Sequence, residues 1–254
     1  MAVSRSELEK FLNNLLAIKI YDDYGPNGLQ IEGSESLKKV AFAVSATKDS
    51  IQKAIELNAD TLVVHHGLFW KFHGTRALVG PFAKRVLPLV RANINLFGYH
   101  LPLDGHIEIG NAASIAKKLG LTNLQPFGDY KGAPTGVKGE FSEAQEATSL
   151  KIQLEKILSH NVIHSNVENK AIKTMGIITG GANSEWYLAM KEGLDSYLTG
   201  EMSEHDWHES KEAEVHMFAG GHNATESFGI QALMDRVEKE FGLECIFIPS
   251  QNPA

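Results

Sequence analysis

One pattern runs twice through this chain, and the repeat limits its possible folds more than any other feature. At an offset of 135 residues, KKVAFAVSATKDSIQKAIELNADTLVVHH (38–66) lies over KTMGIITGGANSEWYLAMKEGLDSYLTGE (173–201), with Asp60 against Asp195. At an offset of 122, INLFGYHLPLDGHIEIGNAASIAKKLGL (94–121) lies over HMFAGGHNATESFGIQALMDRVEKEFGL (216–243) without a gap. There Gly98 meets Gly220, His100 meets His222, and Asp104 meets Glu226. In both copies, short apolar runs alternate with stretches of helical periodicity. This alternation predicts an α/β fold: two similar three-layer lobes with mixed or mainly parallel sheets, packed so that corresponding strand ends converge between them. The expected boundaries are 1–125 for an N-terminal lobe and 126–254 for a C-terminal one.

The finer reading fills in these lobes. Ser4 and Glu7 have capping-box spacing and open a helix over about residues 5–17. KVAFAVSA reads as a strand, Asp49 as the cap of the helix after it, and TLVV as a strand ending at His65-His66. Pro81 opens another helix, INLFGYH is a strand, and NAASIAKKLG is a helix closed by Gly120. Residues 122–145 are weakly patterned and read as a connection between lobes, followed by a helix over 146–158.

Composition then excludes several classes. A single cysteine, Cys245, rules out an intrachain disulfide and a cysteine-rich zinc site; in the run CIFI it reads as a buried structural thiol. No apolar run approaches the roughly 18 residues of a membrane span, and the opening MAVSRSELEKFLNNLL has no signal-peptide core, so the expectation is a cytoplasmic chain. The net charge of −7 argues against a duplex nucleic acid partner, which needs a basic face.

What remains distinctive is histidine, 11 in all. Three polar clusters follow expected strands: His65-His66, His100 with Asp104, and His222 with Glu226. Ligands of open α/β sheets bind beyond the carboxyl ends of strands. Imidazole with carboxylate suits borderline divalent ions: zinc, iron, manganese, cobalt or nickel. Five or six such ligands exceed one tetrahedral site and suit a pair of ions. Each residue also has a structural reading, as a core histidine, a turn acid or a helix-dipole partner. Glu201 falls at the repeat position of His66, where it could face the site. Lys71, Arg76, Lys84, Arg85 and Arg91 form a basic stretch after the histidine pair that could steer a phosphate. His205 and His208 lie in a polar segment and read as surface residues. Phe69, Trp70 and Tyr99 are candidates for stacking on a ring, or for the core.

At these residues the sequence resembles the GTP cyclohydrolase I type 2 homologues, also known as the NGG-interacting-factor-three-like dinuclear-metal proteins. DYGPNGLQIEG, ADTLVVHHGLFW, INLFGYHLPLD, the TGE/SEH segment and AGGHNATESFG carry the likeness, which spans nearly the whole chain. The resemblance implies two metal ions held by His65, His66, Asp104, His222 and Glu226, with His100 also in the site. It implies two related lobes and a ring-shaped homohexamer. Longer relatives carry an inserted domain, for which 122–170 is too short here, and Asn223 stands where relatives often have a larger ring. The function expected is a metal-dependent hydrolase of nucleotide-like or phosphate-bearing small molecules. GTP ring opening is one such reaction, and His100 or Glu201 would move protons. The alternative is a non-catalytic protein that stores, delivers or senses metal, or acts as a regulatory scaffold.

Overall fold

Ser4 opens the first helix with the anticipated capping box: its hydroxyl accepts from the Glu7 amide at 3.2 Å, and the Glu7 carboxylate accepts from the Ser4 amide at 2.8 Å. The helix runs over Arg5–Leu15 and buries Leu8 and Leu12. A computed structural model describes residues 3–254. Within it the chain divides into two compact units. One comprises residues 3–103 and Ile230–Gln251, the other Asp104–Gly229 and Asn252–Ala254.

The first unit is built on a five-stranded mixed sheet. Its order is Glu244–Phe247, Lys39–Ser45, Thr61–His66, Asn95–Gly98, Gly28–Ile31. The first four strands are parallel and the last pairs antiparallel. Val63 and Val64 are both fully buried, as expected for strands covered on both faces. Helices Lys48–Glu56 and Gly80–Arg91 supply Ile51, Ala54, Phe82, Val86 and Leu89 to a core with Leu62, Val64 and Leu96. Pro81 stands in the first turn of the second of these, where its missing N–H costs nothing.

The second unit holds a six-stranded mixed sheet ordered Thr122–Tyr130, Ala133–Gln145, Ile172–Ile177, Ser196–Thr199, His216–Ala219, Ile163–Ser165. Ile172–Ile177, Ser196–Thr199 and His216–Ala219 are parallel, and the other pairings antiparallel. Neighbouring strand residues serve opposite faces. Leu198 and Phe218 pack with helices Asn111–Leu119 and Ala147–Leu158, while Tyr197 and Met217 pack with Trp186 and Ala189. The molecule is therefore two α/β lobes with mixed sheets.

The repeat is structural, down to a hydrogen bond. Asp60 Oδ2 accepts from the amides of Lys38 and Lys39 at 2.7 and 2.9 Å. Asp195 Oδ2 accepts from those of Lys173 and Thr174 at 2.9 and 3.0 Å. In each unit an aspartate before one strand thus ties down the start of its parallel neighbour.

Three local expectations need correction. Thr47, not Asp49, caps the helix Lys48–Glu56, its hydroxyl accepting from the Ser50 amide at 3.1 Å; Asp49 lies in the first turn. The strand read as TLVV continues through both histidines to His66, whose Cα pairs with Ser45. Residues 122–145 are not a plain connection but a long β-hairpin joined at the pair Tyr130↔Ala133. Its turn residues, Lys131 and Gly132, have φ of 54° and 87°, as a two-residue hairpin turn demands. The strand Thr122–Tyr130 lies at the sheet edge with one fully buried residue, Phe127, so the chain carries little apolar alternation there.

Candidate metal centre

The first unit contributes three imidazoles. His65 is fully buried and His66 half-buried, yet their rings converge, with centroids 4.6 Å apart. His65, His66 and His100 each offer a ligating nitrogen, and the three atoms lie within 4.8 Å of one another. All three rings are held by Nδ1. That of His65 lies 3.0 Å from the Tyr99 carbonyl oxygen, which can only accept, so the proton is on Nδ1 and the lone pair on Nε2. That of His100 donates to Asp23 Oδ1 at 2.8 Å, and that of His66 lies 2.9 Å from Ser45 Oγ. An imidazole fixed at one nitrogen so as to present the other is how proteins prepare a metal ligand.

Asp23 is not among the candidate residues of the sequence, although it opens the segment DYGPNGLQIEG. Its side chain is 1% exposed and accepts from Tyr24 N at 2.6 Å, Asn27 Nδ2 at 2.8 Å and Leu101 N at 2.9 Å, besides His100. Burial alone would raise its pKa. The hydrogen bond and charge of His100, then the bonds from Asn27 and Tyr24, outweigh burial and lower it. Asn27 Oδ1 in turn accepts from the His100 amide at 2.8 Å. Nothing local marks an acid in a Gly- and Pro-containing turn as the partner of a histidine 77 residues away.

Gly67 follows the histidine pair for reasons of space. A Cβ there would meet the Gln30 side-chain amide at 2.3 Å. Gln30 is itself pinned, accepting from Leu68 N at 2.9 Å and donating to Pro26 O at 2.8 Å. Beside this turn lies a cleft of about 250 Å³ lined by Pro26, Phe69, Trp70, Lys71, Arg76 and Phe82. Pro26, Phe69 and Trp70 also line a small cavity against His65 and His100, and the Trp70 ring stands edge-on to His100 at 5.1 Å. Of the basic stretch, Lys71 pairs with Asp22 at 2.7 Å, while the Arg76 guanidinium lies 4.2 Å from the Phe82 ring centroid. Tyr99 belongs to the core: it is fully buried, with its hydroxyl donating to Asn13 at 2.8 Å.

In the second unit, His222 begins a short helix, His222–Thr225, with Glu226 directly after it. His222 Nε2 lies 3.2 Å from Glu226 Oε2, and its Nδ1 lies 2.5 Å from Glu201 Oε1. Burial disfavours the charged ring, but Glu226 and then Glu201 more than compensate, and its pKa is raised to about 9. Glu226 is 3% exposed, and one of its oxygens lies within 4.8 Å of one on Asp104. Asp104 is buried and accepts at Oδ1 from Asn111 Nδ2 at 2.9 Å and Thr179 Oγ1 at 3.2 Å. Asn111 is oriented by the Gly229 amide, which donates to its Oδ1 at 2.7 Å. Neither Asn111 nor Thr179 has a motif that would have drawn attention to it. His205 and His208 are exposed on the helix Glu204–Glu212, as the sequence suggested.

The first unit thus carries three imidazoles whose ligating nitrogens lie close together, and the second carries Asp104, His222 and Glu226. The donors are imidazole nitrogen and carboxylate oxygen. Thiolate is not among them: Cys245 is half-buried, its thiol pushed up to about 12 by burial and by Glu238 and Asp235. Such a set suits borderline ions and does not discriminate among them.

Several known proteins share this sequence and fold. Residues 3–253 match the family model described as Duf34/NIF3 (NGG1p interacting factor 3). A "GTP cyclohydrolase 1 type 2 homolog" of Haemophilus influenzae is 41% identical over 251 residues, covering 98% of both chains. One from Pyrococcus abyssi is 39% identical over 249 residues, again covering 98% of both. Among solved structures, the structural-genomics protein ybgI, itself of unknown function, superposes with a TM-score of 0.91 at 34% identity, covering 99% of this chain and 100% of that one. A protein of Thermus thermophilus superposes with a TM-score of 0.89 at 31% identity, with the same coverage. The chain belongs to the Duf34/NIF3 (NGG1p interacting factor 3) family.

Proposed function

We propose that this protein holds two divalent metal ions through His65, His66, Asp104, His222 and Glu226, and uses them to hydrolyse a phosphate-bearing, nucleotide-like small molecule. The observation that carries the reading is the donor set itself. His65 and His66 are anchored at Nδ1 by Tyr99 and Ser45, which orients their Nε2 edges for ligation. Glu226 lies within reach of both Asp104 and His222, which suits a carboxylate shared by the two ions. His65 and His66 would be among the residues that hold the ions. Bound ions of this kind activate water and polarise the centre under attack.

The chain's own residues do the rest. Asp23 holds the His100 ring with its proton on Nδ1, so that Nε2 can accept a proton as the reaction proceeds. Glu201 holds the proton at His222 Nδ1 and orients that ring. The cleft beside Trp70, with Lys71 and Arg76 at its lining, suits a planar group bearing negative charge. The curated relatives carry the name of a GTP cyclohydrolase homologue, so GTP heads the list of ligands to try. The assembly proposed is a homohexameric ring, and the location cytoplasmic; among the described residues no helix is long and apolar enough to cross a membrane.

The test is elemental analysis of gently purified protein, joined to a screen of nucleotides and phosphoesters with His65→Ala as control. About two ions per chain, falling in the variant, together with turnover, is the expected outcome. Near-zero metal would overturn the reading, and metal without turnover would leave a metal-holding protein.

A further inference from the structure

The loop that delivers His222 is braced from two directions, neither of which involves a ligand. Gly220 and Gly221 lie against the end of the helix Ala147–Leu158: a Cβ on Gly220 would meet Leu158 Cδ1 at 2.3 Å, and one on Gly221 would meet the His160 ring at 2.8 Å. Gly221 also has φ +89°, so an L side chain is excluded twice over. His160 faces two carbonyl oxygens, that of Asn161 at 2.7 Å from Nδ1 and that of Pro253 at 2.9 Å from Nε2. The segment Asn252–Ala254 belongs to the same unit as His222. It is folded on itself by a bond from Ala254 N to Asn252 Oδ1 at 3.1 Å. Ala254 O accepts from the amide of Asn223 at 2.9 Å, the residue after His222.

The helix His222–Thr225 has a glycine before it and no side-chain cap. Its first-turn amides therefore need an acceptor from elsewhere. Thr225 Oγ1 accepts from Gly180 N at 3.2 Å, a bond made from the helix rather than to its first turn. The main chain of Ala254 satisfies the Asn223 amide, and His160 ties Pro253 to the Gly221 turn. A side chain that must present one ring nitrogen to an ion gains affinity when the backbone carrying it cannot rotate.

We infer that His160 and the segment Asn252–Ala254 are positioning elements for His222, joined through the Pro253 carbonyl so that they act as one latch. This rests on the reading of His222 as a metal ligand. Divalent cobalt is the probe, because its visible absorption reports ligand geometry, and its affinity is measured by competition with a chelator. Three variants of the full protein serve: a chain ending at Gln251, His160→Leu, and the two combined. His160→Leu keeps bulk against Gly221 while removing the bond to Pro253.

Each single variant should weaken cobalt binding by about tenfold, as loss of an orienting partner commonly does, and should alter the cobalt absorption bands. The combined variant should be no worse than either alone, since two parts of one latch are not additive. His160→Gln, which keeps an N–H for Pro253, should recover most of the affinity. In the metal-free chain, hydrogen exchange at the Asn223 amide should quicken in the shortened variant. Unchanged affinity and bands in the single variants, or fully additive losses in the combined one, would overturn the latch. If the parent chain binds no cobalt, the metal reading fails, while exchange at Asn223 still decides whether the latch holds that turn. Unchanged exchange there overturns it.

Discussion

Nδ1 of His100 donates to Asp23 Oδ1 across 2.8 Å, in a pair whose acid is almost wholly excluded from solvent. Replacing Asp23 with Asn leaves too few acceptors for the donors around it: Tyr24 N, Asn27 Nδ2, Leu101 N and His100. One buried donor then goes unmet, at a cost of about 1–3 kcal/mol of stability. The same change should also let His100 move its proton to Nε2. Long-range proton–nitrogen NMR spectra of the ring would register the tautomer, and urea unfolding would register the stability. An unaltered tautomer with unaltered stability would refute the assigned role.

The acid dependence of this pair has a definite sign. Asp23 has a folded pKa below its ordinary value of 3.8, with burial overcome by His100, Asn27 and Tyr24. Its contribution is complete above that ordinary value and is lost as pH falls through the lowered one. A pH series of unfolding midpoints should therefore fall less steeply at the acid end in Asp23→Asn than in the parent.

His222 should make metal uptake a proton-releasing event. With its pKa raised to about 9 by Glu226 and Glu201 against the effect of burial, the ring is protonated at neutral pH in the metal-free chain. Binding an ion at Nε2 must expel that proton. Calorimetric titration with zinc in two buffers of different ionisation enthalpy should yield about one more proton released by the parent than by His222→Ala. Equal release from both would count against His222 as a ligand.

Glu226 and Asp104 should differ in what their loss does. If Glu226 is shared between two ions, Glu226→Gln should strip the protein of both. Asp104→Asn should lose less, because Asn111 and Thr179 still hold the amide in place. Elemental analysis of the two variants side by side measures this, and the reverse ranking would assign the bridge to Asp104.

His164 gives a pH effect far in sequence from the proposed ligands. Burial first, then the charge of His216, brings its pKa down to about 4, and its Nε2 lies 3.2 Å from His216 Nδ1. His216 Nε2 faces the Lys170 carbonyl at 2.9 Å, which leaves Nδ1 as the acceptor. A histidine with a depressed folded pKa contributes fully above its ordinary value of 6.5, and that contribution erodes as pH falls from there towards 4. Unfolding free energy should drop by about 1–2 kcal/mol between about pH 7 and 5, after allowance for the ring's partial exposure. His164→Phe should flatten that slope; an equal slope in the variant would clear His164 of the effect.

Much of the architecture was readable because it is periodic. Apolar runs such as KVAFAV and TLVV, and the matched Asp60 and Asp195, report strands and repeat from local pattern alone. The hairpin over 122–145 escaped because its edge strand is mostly solvated and its Lys131-Gly132 turn lacks the usual asparagine or aspartate. The histidines and acids of the site stood out as residue types at strand ends. Their supports did not. Asp23, Asn111 and Thr179 act through partners distant in sequence, and only folding reveals those pairings.

The strand Glu244–Phe247 lies in parallel register against Lys39–Ser45 in the first unit. On the ribosome, that unit's sheet must wait until synthesis has passed residue 247 before its edge is sealed. Until then Lys39–Ser45 presents a bare, apolar flank, the kind that nascent chains use to pair wrongly. The second unit's strands, at 122–219, all emerge before Glu244–Phe247. The order of completion thus runs against the order of translation. Chaperone demand should accordingly centre on the first half of the chain, although the missing piece is encoded near residue 247.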